Sequence, residues 1–73
     1  MNQQLIDKYL SDIDELGFNK ALTLDSHDVA KILRVQTRTV ISWAKNNIGP
    51  KCKKIGKSYI YTKRDIAEFL ADN

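Results

Sequence analysis

Eight basic side chains crowd into residues 36–64 of this 73-residue chain: Arg38, Lys45, Lys51, Lys53, Lys54, Lys57, Lys63 and Arg64, with no acid among them. Guanidinium and ammonium groups break no bonds by themselves. Their chemistry is attraction for anionic oxygen and hydrogen bonding to it, so a run of this density reads either as the footprint of a polyanion binder or as a solvated basic face. The rest of the chain runs the other way: residues 1–21 carry a net −2, residues 22–35 are balanced and residues 65–73 carry −3, within a total of +3.

Other chemistries find little support. Gly56-Lys57-Ser58 imitates the end of a phosphate-binding loop, but that motif needs glycine at position 51, where Lys51 stands, and a strand–loop–helix unit. With one cysteine, Cys52, and one histidine, His27, neither an internal disulfide nor a Cys/His zinc cage is expected, and no metal or cofactor. Cys52 reads as a small hairpin residue and His27 as a surface residue without a role. Asp12, Asp14 and Glu15 sit on a solvated helix with no partner base, and no nucleophile–base pair is visible. The expectation is a protein that is not an enzyme.

The elements that must position the cations follow from local pattern. Leu5, Ile6, Tyr9, Leu10, Ile13 and Leu16 form one apolar stripe at helical period, and Gly17 suits its C-terminal stop. Asp25 can cap a second helix, with Asp28 in its first turn and Val29, Ile32 and Leu33 on its buried edge. That helix is expected to end at Leu33-Arg34, with Val35 in a tight turn. A third helix starts around Gln36-Thr37 and runs to about Asn46. Val40, Trp43 and Ala44 share its inner side, and Arg38, Ile41, Ser42 and Lys45 its outer side as i, i+3, i+4 and i+7. Asn47 can take the left-handed conformation, and Gly49-Pro50 forbids continuation.

From Lys51 to Tyr61 the period changes. Lys53-Lys54-Ile55 and Ser58-Tyr59-Ile60-Tyr61 flank Gly56-Lys57 as a short β-hairpin of undetermined turn type, with Tyr59 and Tyr61 packing it onto the helices. Thr62 then caps a last helix, with Asp65 at its third position and Ile66, Phe69 and Leu70 on its buried side. The order helix, helix–turn–helix, basic hairpin, helix is a winged helix-turn-helix with an extra N-terminal helix: mainly α, with a β-hairpin wing. Two parts are expected, an amphipathic helix over residues 1–17 and the winged domain over residues 18–73.

At this point a resemblance can be stated. Leu24-Asp25-Ser26-His27-Asp28-Val29-Ala30, Ile32-Leu33, Val35, Thr39-Val40, Trp43, Pro50, Ile55-Gly56, Tyr59, Asp65-Ile66 and Phe69-Leu70 appear in order over about two-thirds of the chain. Together they are similar to the MerR-like helix-turn-helix domains of phage and plasmid excisionases and related small regulators. The resemblance implies that the helix holding Thr37 to Asn46 enters a major groove while the 53–58 wing lies against backbone or a minor groove. Carried over position by position, Thr37, Arg38, Ser42, Lys45 and Asn46 are candidate groove contacts, and Lys53, Lys54, Lys57 and Ser58 candidate wing contacts. Ile41 could meet a thymine methyl or a neighbouring protomer. The chain departs from the pattern at Arg34, where the turn usually has glycine, at Gln36, where the cap is usually Ser or Thr, and at Ile60, where a strand residue is commonly basic.

The functional expectation is a sequence-biased binder of double-stranded DNA, of phage, plasmid or mobile-element type. It would act as an excisionase-like architectural factor or a small transcriptional regulator. Self-association or cooperative binding on DNA is expected, with an integrase as a candidate partner. The rival is a protein-docking module that engages its partner through the N-terminal stripe; the DNA-binding subunit of a phage packaging or plasmid maintenance complex is a third reading. The longest apolar runs are two or three residues, so no membrane segment is expected. The polar start Met1-Asn2-Gln3-Gln4 is unlike the basic entry to a signal peptide, and a reducing cytoplasm is the expected compartment.

Overall fold

The computed structural model describes residues 3–72; Met1 and Asn2 of the polar start, and the boundary at Asn73, lie outside the described residues. Helix α1 spans Gln3–Ile13 and runs into a further turn over Asp14–Phe18 that is kinked at Gly17. The sequence suggested a regular helix through Leu16. Instead the turn opens, and Gly17 takes φ +103, a conformation that costs glycine alone nothing. Ile13 is thereby seated in the core at 2 % exposure, while Leu16 swings out to 60 %. Lys63 closes the turn, donating to Asp14 Oδ1 at 2.8 Å and to the Phe18 carbonyl at 3.1 Å, so that a helix-end carbonyl finds a partner.

Helix α2 (Ser26–Leu33) begins with a reciprocal capping box: the Asp28 amide donates to Asp25 Oδ1 at 2.8 Å and the Asp25 amide to Asp28 Oδ2 at 3.2 Å. It ends at Arg34, which is held left-handed at φ 60, ψ 44, and Val35 N–H then returns to the Ala30 carbonyl at 3.0 Å. Helix α3 (Thr37–Lys45) follows after Gln36 in extended conformation. Buried Ala30 and Val40 let α2 and α3 pack against each other. Beyond α3 the chain turns through Asn47 at φ 58 and Gly49 at φ 78. A Cβ on Gly49 would lie 3.0 Å from Trp43 Cε3 and the backbone there is at φ 78, so a side chain would be strained and would press on the indole.

Strands β1 (Lys53–Ile55) and β2 (Ser58–Ile60) pair antiparallel in the register Lys53↔Ile60, Lys54↔Tyr59, Ile55↔Ser58. Gly56 at φ 62 takes the first position of the two-residue turn and Lys57 stays out of the positive region, the φ pattern of a type II′ turn. Leaving the hairpin, Tyr61 exchanges two 2.8 Å backbone hydrogen bonds with Leu24, which ties the root of the wing to the entry of α2. Helix α4 (Lys63–Ala71) opens with a second capping box between Thr62 and Asp65 and packs along α1.

The core is Ile13, Leu24, Val29, Ala30, Val40, Tyr61 and Ile66, one or more from every element except β1 and β2 themselves. Phe18, Trp43, Tyr59 and Leu70 pack around it, with the Trp43 and Phe69 rings 6.3 Å apart and tilted by 41°. The left-handed Arg34 is the most visible local strain, since a side chain there costs about 1–2 kcal/mol. Arg34→Gly is therefore expected to raise stability by about 0.5–1 kcal/mol, the relief being offset in part by the looser unfolded chain. A urea titration checks this: the midpoint should rise at unchanged slope.

Candidate nucleic-acid interface

The inner side of α3 is consumed by packing, with Val40 and Ala44 buried. Its outer side therefore presents Arg38, Ser42 and Lys45 exposed and Ile41 half-buried. Next to this face stands the hairpin, and between them opens a cleft of about 410 Å³. Ile41 and Lys45 form its wall on α3, Lys54, Lys57, Ser58 and Tyr59 its wall on the hairpin, and Asp25, Ser26 and His27 its end at the start of α2. Four of the residues singled out from the sequence, Lys45, Lys54, Lys57 and Ser58, are thus brought to one surface.

The others are placed differently. Thr37 is half-buried, with Oγ1 3.5 Å from His27 Nδ1. Arg38 donates from Nε to Gln36 Oε1 at 2.7 Å. Asn46 folds back over the end of α3, its amide donating to the Ser42 carbonyl at 2.8 Å and lying 3.4 Å from Ser42 Oγ. Cross-strand pairing puts Lys53 on the hairpin face shared with Ile60, opposite the face where Lys54 Nζ sits 5.8 Å from the Tyr59 ring centre. Nothing in the sequence marks Asp25, Ser26 or His27 as site residues. The proximity of His27 to Thr37 depends on how α2 and α3 cross, which no local pattern states.

Tyr61 is 1 % exposed, and its hydroxyl interacts with the Cys52 thiol and with Ser26, which lines the cleft. Burial above all, with the Cys52 thiol beside it, pushes its pKa up to about 12. Cys52 is exposed and lies just before β1 rather than within the hairpin ladder.

The basic run also needs correction. Lys63 pairs with Asp14 at 2.8 Å, and Arg64 pairs with Glu68 at 3.2 Å while donating to Gln3 Oε1 at 3.1 Å. Asp14 is the acid that holds Lys63. These two cations serve the α1–α4 contact. Arg38, Lys45, Lys51, Lys53, Lys54 and Lys57 make no salt bridge among the described residues. A surface lined by such cations can neutralise anionic oxygens without first breaking a salt bridge.

Among the described residues no group of three or more His, Cys, Asp or Glu could hold a metal ion. No helix there is long and apolar enough to cross a membrane. A family model described as a helix-turn-helix domain matches residues 23–73, from just before the α2 cap to beyond α4. No curated protein and no solved structure was found to match the chain.

Proposed function

We propose, from the premise that the chain belongs to the helix-turn-helix domain family, that it binds double-stranded DNA with a bias for sequence. The observation that carries this reading is the cleft between the outer face of α3 and the hairpin, walled by Lys45, Lys54 and Lys57. An α-helix with its side chains is about 10–12 Å across and the major groove about 12 Å wide, so α3 fits it with Arg38 and Ser42 toward base edges. Lys45 and the hairpin lysines then meet phosphate, which positions the protein without specifying sequence. Thr37, Asn46, Lys53 and Ser58 complete the proposed contact surface.

The molecule measures 32 × 26 × 21 Å, so one copy covers about a single helical turn of duplex. So small a footprint gives limited discrimination, and useful selectivity calls for self-association or cooperative binding on neighbouring sites. An excisionase-like architectural role, with an integrase as partner, and small-scale transcriptional regulation use this same chemistry. Docking through the N-terminal stripe is disfavoured, because Ile13 is in the core and Leu5, Ile6, Tyr9 and Leu10 are half-buried.

The test is a salt titration of binding to random and to selected duplexes. Affinity should fall linearly with salt on logarithmic axes; a flat response refutes the reading. Arg38→Ala should relax sequence preference, losing about 1–3 kcal/mol of discrimination at one base pair while leaving random-DNA binding nearly intact.

A further inference from the structure

The helices on either side of α3 in sequence start with complete capping boxes, Asp25 with Asp28 and Thr62 with Asp65. Helix α3 starts with Gln36, and its side chain makes no capping hydrogen bond. Glutamine is a poor cap, since the short oxygen-bearing side chains of Ser, Thr, Asp and Asn are the ones that reach the first-turn amides. The chain thus omits a stabilising device at the helix proposed to read DNA. The Gln36 side-chain oxygen Oε1 is nevertheless occupied: it accepts from Arg38 Nε at 2.7 Å, a short charge-assisted bond.

A guanidinium has five N–H donors in a fixed fork. With Nε engaged by Gln36, the two terminal nitrogens remain, and they present the parallel pair that matches O6 and N7 of guanine. A free arginine must surrender its rotamer freedom on binding, whereas one already tethered at Nε surrenders less. We infer that Gln36 is a specificity-determining positioning residue, which forgoes capping α3 in order to hold the Arg38 guanidinium for a base edge. The inference rests on the DNA-binding reading above.

Gln36→Ser separates the two roles, because serine caps α3 but cannot reach Arg38 Nε. The full-length variant is compared with the wild type by urea unfolding, and by fluorescence anisotropy on the duplex the wild type selects from a random pool and on its single-base-pair variants. The expected result is a protein with a higher unfolding midpoint and a selected-to-random affinity ratio lower by about twofold to tenfold. Gln36→Glu, which keeps the acceptor, should retain the ratio while binding all duplexes more weakly. In an Arg38→Ala background, Gln36→Ser should leave the ratio unchanged.

Retention of the full ratio by Gln36→Ser overturns the positioning role, as does an equal loss in the Arg38→Ala background, which would make Gln36 a reader of bases in its own right. Absence of any wild-type affinity for DNA overturns instead the reading on which the inference stands.

Discussion

Replacing Lys45, Lys54 and Lys57 together with glutamine should lower affinity for every duplex by about a hundredfold near 0.15 M salt and flatten the salt dependence by about three units. The three lysines share the walls of one cleft, although they come from α3, from β1 and from the hairpin turn. None is salt-bridged among the described residues, so none is already neutralised in the free protein. Each phosphate neutralised releases a counterion, and the loss is therefore nearly the same for all sequences. Lys57→Ala alone should flatten the slope by about one unit.

Glutamine keeps most of the aliphatic stem, so folding should be little affected; among the described residues the Lys54 contact with Tyr59 is the side-chain interaction given up. Circular dichroism confirms the fold, and anisotropy at several salt concentrations gives the slope. An unchanged slope would place the DNA surface elsewhere on the molecule.

Tyr61→Ala should remove about 3–5 kcal/mol, a large share of the protein's stability. Tyr61 is among the largest fully buried side chains, and it joins three parts: its backbone is paired with Leu24, its ring lies in the core, and its hydroxyl meets Ser26 and Cys52. Emptying such a site costs about 3–5 kcal/mol. A domain of this length has a total stability of roughly 4–11 kcal/mol, on the usual scale of about 0.05–0.15 kcal/mol per residue. Thermal unfolding followed by circular dichroism checks the loss.

Tyr61→Phe should be far milder, about 0.5–1.5 kcal/mol, since only the hydroxyl contacts go. The same pair tests the raised pKa. A tyrosine that ionises near 10 when unfolded and at about 12 when folded contributes stability that is whole below pH 10 and lost as pH rises through 12. In the wild type this alkaline loss should be present, and in Tyr61→Phe it should be absent.

Features set by near neighbours in sequence were legible. Asp25 with Asp28 and Thr62 with Asp65 fix two helix starts, because the partners are three residues apart and the motif is complete within one turn. The split between Val40 and Ala44 inside and Arg38, Ser42 and Lys45 outside follows from helical period alone. Gly56-Lys57 fixes the hairpin register, though the sign of φ at Lys57 had to come from the structure.

What escaped the sequence depends on distant partners or on competition between local bonds. Lys63 finds Asp14 at 49 residues' separation, and Arg64 finds Gln3 at 61, so counting charge along the chain does not separate these two cations from the rest of the basic run. The opening of the turn after Ile13 is set by Gly17 together with the Lys63 contact, neither of which disturbs the apolar period. Asn46 satisfies the end of its own helix before it can reach outward. The Gln36–Arg38 bond, although only two residues apart, could not be told from ordinary side-chain solvation without coordinates.

The segregation of ion pairs has a kinetic consequence. Six of the nine acids, Asp7, Asp12, Asp14, Glu15, Asp65 and Glu68, lie on α1, the turn after it and α4, while six cations without a salt bridge among the described residues, Arg38, Lys45, Lys51, Lys53, Lys54 and Lys57, occupy α3, the hairpin and the segment between them. A body charged in this lopsided way has a permanent electric moment and experiences a torque in the field of a polyanion. It turns its lysine-bearing side forward during diffusion, so that a larger share of encounters arrives already oriented, and this advantage fades as ionic strength shortens the reach of the field to about 8 Å at physiological salt.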